Sequence, residues 1–330
     1  MKSIWREIVL SVIMGMILPG IVLNWAVEEQ GNAPPGEEMQ SLPLQPEATV
    51  PAVPKVHLDI LLRHGDGTVE TMDMDTYLVG VVLAEMPSTF EQEAKKAQAV
   101  VARTFARKAF VTGGKHGDGS VCTDSACCQA YISAADYLGR GGTQNAVEAA
   151  QAAVEATSGY VLTYEGGLIE ATYFSCSGGS TEDAVAVWGT DFPYLRATES
   201  PGEEYAAHFT DTVLISRQEL EQKLGITLPG GPEGWIGMVS YTAGGGVNTM
   251  DIGGKTFSGT KLRSLLNLRS TVFTIETDSR GATITTRGFG HRVGMSQYGA
   301  DAMAAAGASY QEILSHYYRG TTLELTKPDS

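Results

Sequence analysis

A run of apolar residues from Ile8 to Val27 stands between Lys2 and Arg6 on one side and Glu28 and Glu29 on the other. About 20 apolar residues suffice for a helix to cross a bilayer once. The basic flank stays in the cytoplasm, so everything after the run is expected outside the membrane. A cleaved signal peptide is the competing reading. The run exceeds the apolar core of a typical signal, and no small-x-small cleavage site follows it, which favours an anchor. Either way the body of the protein is extracytoplasmic. Residues 28–55 are rich in Pro, Glu, Gln and Gly, with PPG, LPLQP and VPAVP, the composition of a semi-extended linker. The chain is therefore expected to comprise a cytoplasmic N-terminus at 1–7, an anchor at 8–27, a linker at 28–55 and a folded ectodomain at 56–330.

Of the 330 residues, 43% are hydrophobic, which supplies a core and excludes a disordered chain. Lys and Arg number 23 against 38 Asp and Glu, a net charge of −15. That balance excludes a general nucleic-acid binder, which needs a basic surface. Four cysteines are too few to build the fold from disulfides. The 39 glycines point to turns and hairpins and away from a helical bundle.

Along the body, Val56–Arg63 and Thr68–Met74 flank HGDG as a hairpin. Asp75 is the expected N-cap of a helix through Tyr77, Leu78, Val81, Val82 and Glu85, stopped by Pro87. A second helix is predicted from about Phe90 to Phe110, with Ala94, Ala97, Val101, Phe105 and Ala109 at helical spacing. Lys96, Arg103 and Arg107 then form one stripe opposite that face. An Ala-rich helix is predicted at Ala146–Thr157, and a hairpin joins Tyr160–Tyr164 to Leu168–Phe174 across EGG. After a long Gly- and Ser-containing loop, strands at Gly237–Tyr241, Gly246–Ile252, Val272–Glu276 and Thr283–Thr286 suggest a mostly antiparallel region, followed by helices near Met295–Ala306 and Tyr310–Tyr318. The expected class is α+β.

Four segments carry chemistry. Glu85 closes an apolar helical segment, where partial desolvation makes a carboxyl a usable proton donor; a surface Glu at a helix end is the commoner fate. His116, Cys122, Cys127 and Cys128 share one Gly-rich loop, a set that fits a tetrahedral Cys₃His zinc site. A Cys122–Cys128 disulfide is the alternative outside the cytoplasm, but it leaves Cys127, Cys176 and His116 without a role, and vicinal cysteines rarely bond each other. Gly288 to Ala300 (GFGHRVGMSQYGA) allows close backbone approach to a ligand, with His291, Ser296, Gln297 and Tyr298 as donors and acceptors for sugar hydroxyls. It is equally a strand-to-helix turn with Ser296 near the helix start. Tyr173 to Glu182, which contains Ser177, is either a capped turn or a substrate contact. No G-x-G-x-x-G opening a helix, P-loop, H-E-x-x-H or G-x-S-x-G occurs.

Together, Tyr77–Pro87 (YLVGVVLAEMP), Glu93–Ala106 (EAKKAQAVVARTFA), the His/Cys loop ending CQAY at Tyr131, Ser177-Gly-Gly and Gly290–Ala300 resemble the stage II sporulation protein D family, the cell-wall lytic transglycosylases of endospore formers. The resemblance covers nearly the whole chain. It implies that Glu85, in the E-M-P motif, is the catalytic acid and that His116, Cys122, Cys127 and Cys128 hold a structural zinc ion. It implies cleavage of the β-1,4 bond between N-acetylmuramic acid and N-acetylglucosamine, without water, leaving a 1,6-anhydro end. The substrate is glycan stripped of stem peptides, whose lactyl carboxylates are free; Lys96, Gln98, Arg103, Arg107, Ser177, His291, Ser296, Gln297 and Tyr298 are the expected substrate contacts. The implied partners are peptidoglycan strands and the stage II sporulation proteins P, an amidase, and M, at the mother-cell engulfing membrane facing the intermembrane space. Two positions depart from the family pattern. Cys127 stands where His is frequent. Arg292 stands where a glycine is usual, which puts a positive charge beside an otherwise bare backbone. The same domain family includes non-catalytic enhancers of cell-wall amidases, the alternative function. A zinc hydrolase is disfavoured, because a Cys₃His set leaves no position for water.

Overall fold

The computed structural model describes residues 56–207 and 209–326. The expected anchor at 8–27 and linker at 28–55 lie outside them. No helix among the described residues is long and apolar enough to cross a membrane.

The body opens with an antiparallel hairpin, Asp59–Arg63 against Val69–Asp73. It runs directly into the Met74–Glu85 helix. The cap is Asp73, whose carboxylate accepts the Thr76 N–H at 2.9 Å, and not the expected Asp75. Asp75 is drawn elsewhere: it accepts from Arg103 at 3.1 Å and from the Ser158 hydroxyl at 2.9 Å. Tyr77, Leu78, Val81 and Val82 are all buried, as expected for a helix that is apolar nearly all round. Met86 is already extended, as the residue before proline prefers.

The Gln92–Thr112 helix is the centre of the larger core. The Met74–Glu85, Gln144–Ala156, Gln297–Ala305 and Tyr310–Tyr317 helices and the Tyr160–Tyr164 strand pack around it. A second core lies beneath two antiparallel three-stranded sheets, one of Ile236–Tyr241, Val247–Ile252 and Lys255–Ser258, the other of Thr210–Ile215, Val272–Asp278 and Gly281–Arg287. Leu220, Trp235, Ile252, Leu262 and Ile284 fill it. The class is thus mixed α+β with small, mostly antiparallel sheets.

Two parallel pairings cross the chain and position the site. Leu62 and Arg63 lie opposite Val121 and Cys122. Tyr173 and Phe174 lie opposite Met295 and Ser296. The second corrects the predicted hairpin: the strand paired with Tyr160–Tyr164 ends at Leu168, and Tyr173–Phe174 joins a partner more than a hundred residues away.

Arg292 also departs from expectation. It adopts φ 67° and is 1% exposed, with its side chain turned into the protein. Its guanidinium donates to the carbonyls of Ser177 at 2.9 Å, Ser180 at 2.7 Å and Gly244, and faces Glu182 at 3.6 Å. Burial lowers its pKa to about 10, which leaves it charged at neutral pH. It ties the Ser177–Ser180 turn to the segment carrying the second core and presents no charge to a ligand. Arg292→Gly eases the left-handed backbone by about 1–2 kcal/mol but strands buried Glu182, a loss of about 3–5 kcal/mol. The variant is expected to unfold at lower urea than wild type; an equal or higher midpoint would contradict this role.

Candidate active site and metal centre

A cleft of about 700 Å³ is lined by Glu85, Tyr173 and Gln297, by the rings of Phe105, Phe174, Trp188, Phe192, Phe289 and His291, and by Lys115, Cys127 and Cys128. Glu85 reaches it from the end of its helix. Three donors from three distant segments converge on the carboxylate. Oε1 accepts the Ala130 N–H at 2.8 Å and the Tyr173 hydroxyl at 3.1 Å, and Oε2 accepts the Gln297 amide at 3.3 Å. The parallel pairing of 173–174 with 295–296 is what brings Tyr173 and Gln297 together. Burial, and next the charge of Glu85, raise the Tyr173 pKa well above its ordinary value, so the phenol stays a neutral donor. The Gln129 side-chain Oε1 also lies 3.1 Å from that hydroxyl, and the Gln129 Nε2 donates to the Tyr77 hydroxyl at 3.1 Å.

Gly80 allows this arrangement. A Cβ there would lie 2.4 Å from the Tyr131 ring and 2.7 Å from the Ile132 carbonyl oxygen. The bare backbone lets the 130–132 segment lie on the helix, with the Ile132 N–H donating to the Gly80 carbonyl at 3.3 Å and Tyr131 stacked on Tyr77.

The ligand atoms of His116, Cys122, Cys127 and Cys128 lie within 4.8 Å of one another, a group that can hold a metal ion. His116 Nε2 is 3.6 Å from the Cys128 sulfur and 3.9 Å from that of Cys127, and the two sulfurs are 3.9 Å apart. Tetrahedral thiolate bonds of ~2.3 Å to zinc place sulfurs about 3.8 Å apart, so the donor set fits. All four cysteines are free thiols, and Cys122 and Cys128 form no disulfide. The loop is built locally. Gly113 ends the long helix in the left-handed region, Arg63 pairs with Asp118 at 2.5 Å, and Asp124 turns the chain by accepting the backbone N–H groups of Ala126, Cys127 and Cys128.

Of the expected substrate contacts, Gln297 and His291 line the cleft. His291 is neutral at pH 7: burial, aided by the cations Arg263 and Lys115, lowers its pKa to about 4. The cationic stripe is not there. Arg103 is fully buried and bonded to Asp75 and to the Thr157 carbonyl, and Arg107 is buried with its guanidinium over the Phe110 ring. Lys96 pairs with Glu93 at 2.5 Å, and Gln98 is buried in the core. A helix surrounded on every side has no solvent face for a stripe. Ser177 is buried on Glu203, and Ser296 is the buried cap of the Gln297–Ala305 helix. Tyr298 packs edge-on against Phe90 and Tyr205 and is not among the cleft residues. Cys176 is a buried thiol held near Glu203, its pKa pushed up to about 12 by burial. Sequence reasoning assigns no role to Gln129, Ala130, Trp188 or Lys115, and holds Tyr173 and Phe289 only as members of longer candidate segments. The Gln-Ala after Cys128 and the Tyr-Phe before Ser175 were visible, but no local pattern assigned them to Glu85.

Residues 63–164 match the family described as Stage II sporulation protein. The chain is similar to Stage II sporulation protein D of Bacillus subtilis (strain 168), with 39% identity over 266 residues covering 79% of this chain and 77% of that protein. It is similar to Stage II sporulation protein D of Bacillus amyloliquefaciens, with 35% identity over 324 residues covering 96% and 93%. It is also similar to a Bacillus subtilis (strain 168) protein named Amidase enhancer, with 32% identity over 302 residues covering 74% of this chain and 40% of that protein.

Proposed function

The chain belongs to the stage II sporulation protein D family, and from that premise we propose that it is a peptidoglycan lytic transglycosylase acting on peptide-stripped glycan. The observation that carries this reading is Glu85, a cleft carboxylate oriented by three donors. The other carboxylate lining the cleft, Glu170, is paired with Lys108 at 2.6 Å. A hydrolytic glycosidase needs two working carboxyls; a transglycosylase needs one. Glu85 protonates the glycosidic oxygen as its bond to muramoyl C1 breaks. As carboxylate it then takes the proton of the C6 hydroxyl, whose oxygen closes on C1 to give the 1,6-anhydro end. The proton returns to Glu85 and no water is consumed.

The Cys₃His set suits a zinc ion, which when bound supplies structure and no open coordination position. Cys127 and Cys128 immediately precede Gln129 and Ala130, so fixing the cysteines fixes the Ala130 N–H on Glu85 and the Gln129 amide on Tyr77. In this reading the segment at 8–27 anchors the protein in the mother-cell engulfing membrane, facing the intermembrane space, and protein P strips the strands beside protein M.

Gly80→Ala tests the positioning. The added methyl pushes the 130–132 segment off the helix, an overpacking cost of about 1–3 kcal/mol, and cleavage falls about tenfold or more as the Ala130 hydrogen bond lengthens. Wild-type turnover would contradict the role given to that approach.

The similarity to a protein named Amidase enhancer supports a second reading, a non-catalytic glycan-binding partner of an amidase. Purified protein incubated alone with peptide-free glycan separates the two. The transglycosylase releases anhydro-ended fragments; the enhancer releases none and accelerates an added amidase.

A further inference from the structure

The proposed glycan is anionic wherever its stem peptides have been removed, yet the three cations expected to receive it are committed inside the protein. Two others lie nearby, one lining the cleft and the other set behind its wall. Lys115 lines it, and its ammonium donates to the Cys127 carbonyl. Arg263 is half-buried, and its Nε donates to the Arg269 carbonyl at 3.2 Å. That same carbonyl accepts the N–H of Gly290, a cleft residue, at 3.0 Å, which sets Arg263 against the cleft wall. Neither cation has a carboxylate partner among the described residues, whereas their neighbours do: Arg269 pairs with Asp211 at 3.2 Å and Lys108 with Glu170. For half-buried Arg263 the lack of a counter-ion is costly unless a ligand brings one, whereas Lys115 is exposed and meets the cleft from solvent. Both cations act on His291, which is neutral and accepts the Val293 N–H at Nδ1, so its proton sits on Nε2. Trp188 packs against His291 at 5.4 Å and remains 41% exposed. Exposed aromatic faces in a cleft suit the apolar faces of pyranose rings.

Resting on the transglycosylase reading, we propose that this wall is the specificity element for peptide-stripped strands. Arg263 and Lys115 receive the free lactyl carboxylate of muramic acid, and Trp188 carries a sugar ring. The wall then favours strands that an amidase has already processed, because a lactyl group still in amide linkage to a peptide has no charge at that point.

The test uses the full chain carrying Glu85→Gln, so that bound glycan is not cut, and two probes: peptide-free glycan, and the same glycan with its lactyl carboxyls converted to amides. The native glycan is expected to bind more tightly, with the steeper salt dependence. Arg263→Gln is expected to weaken native glycan about three- to tenfold and amidated glycan less than about twofold, with Arg263→Lys recovering most of the loss. Trp188→Ala is expected to weaken both probes alike. Equal binding of the two glycans, or equal losses on both in Arg263→Gln, overturns the proposed charge recognition while the glycan reading stands. Failure of both glycans to bind overturns the glycan reading itself.

Discussion

Stripping the metal, or replacing Cys128 with Ser, is expected to lower stability and abolish glycan cleavage together. The loop from Gly113 to Cys128 buries little apolar surface beyond Val121. Bonds from Arg63 to Asp118 and Ser120, a two-residue parallel pairing and the turn at Asp124 hold it, and Gln129 to Tyr131 follow it onto the Met74–Glu85 helix. Four ligands on so short a loop close a site at small entropic cost. Structural zinc sites contribute about 10–16 kcal/mol to the folding of isolated fingers. Here a bound metal would order one loop on an existing core, and its removal is expected to lower the melting temperature by about 10 °C or more. Activity is lost with it, because Ala130 and Gln129 follow directly on Cys128 and leave with the loop. Elemental analysis should find one zinc per chain, and thiol counting should leave Cys176 as the one reactive only after unfolding. An active, metal-free protein with a Cys122–Cys128 disulfide would sink the metal assignment.

Glu85→Gln is expected to remove cleavage by more than about a hundredfold, because general acid and general base catalysis each contribute about 10²–10⁴ and the proposed mechanism uses this residue in both. The fold should survive. The amide oxygen still accepts the Ala130 N–H, and the Gln297 amide can turn its oxygen toward the new NH₂. Urea unfolding should therefore be little changed while turnover disappears. Near wild-type turnover would remove Glu85 from the mechanism.

Much of this site was legible in the sequence because its parts are local. The apolar run ending at Glu85 and the His/Cys spacing each lie within one segment, and the structure brings the four ligand atoms together. Two kinds of feature were not legible. The partners of Glu85 depend on a parallel pairing between residues 173–174 and 295–296, which leaves no periodic trace in a two-residue strand. The helix periodicity also misled, since it assumes one solvent face. The Gln92–Thr112 helix has none over its middle, and Arg103 answers buried demand from Asp75 and the Thr157 carbonyl where a surface cation was expected. The Arg217–Leu224 helix was missed within a predicted loop, although Ser216 accepting the Glu219 N–H and a left-handed Gly225 are ordinary start and stop signals. The cap at Asp73 was displaced by two residues for a similar reason: two aspartates flank the helix start, and tertiary contacts decide which is free to cap.

The most direct test of the central claim is the mass of the ends left on peptide-free glycan, with the reaction run in ¹⁸O water. A lytic transglycosylase gives muramoyl ends one water lighter than hydrolysis products and free of ¹⁸O, and the Glu85→Gln chain gives none. Reducing ends carrying ¹⁸O, or anhydro ends formed equally by Glu85→Gln, would contradict the account.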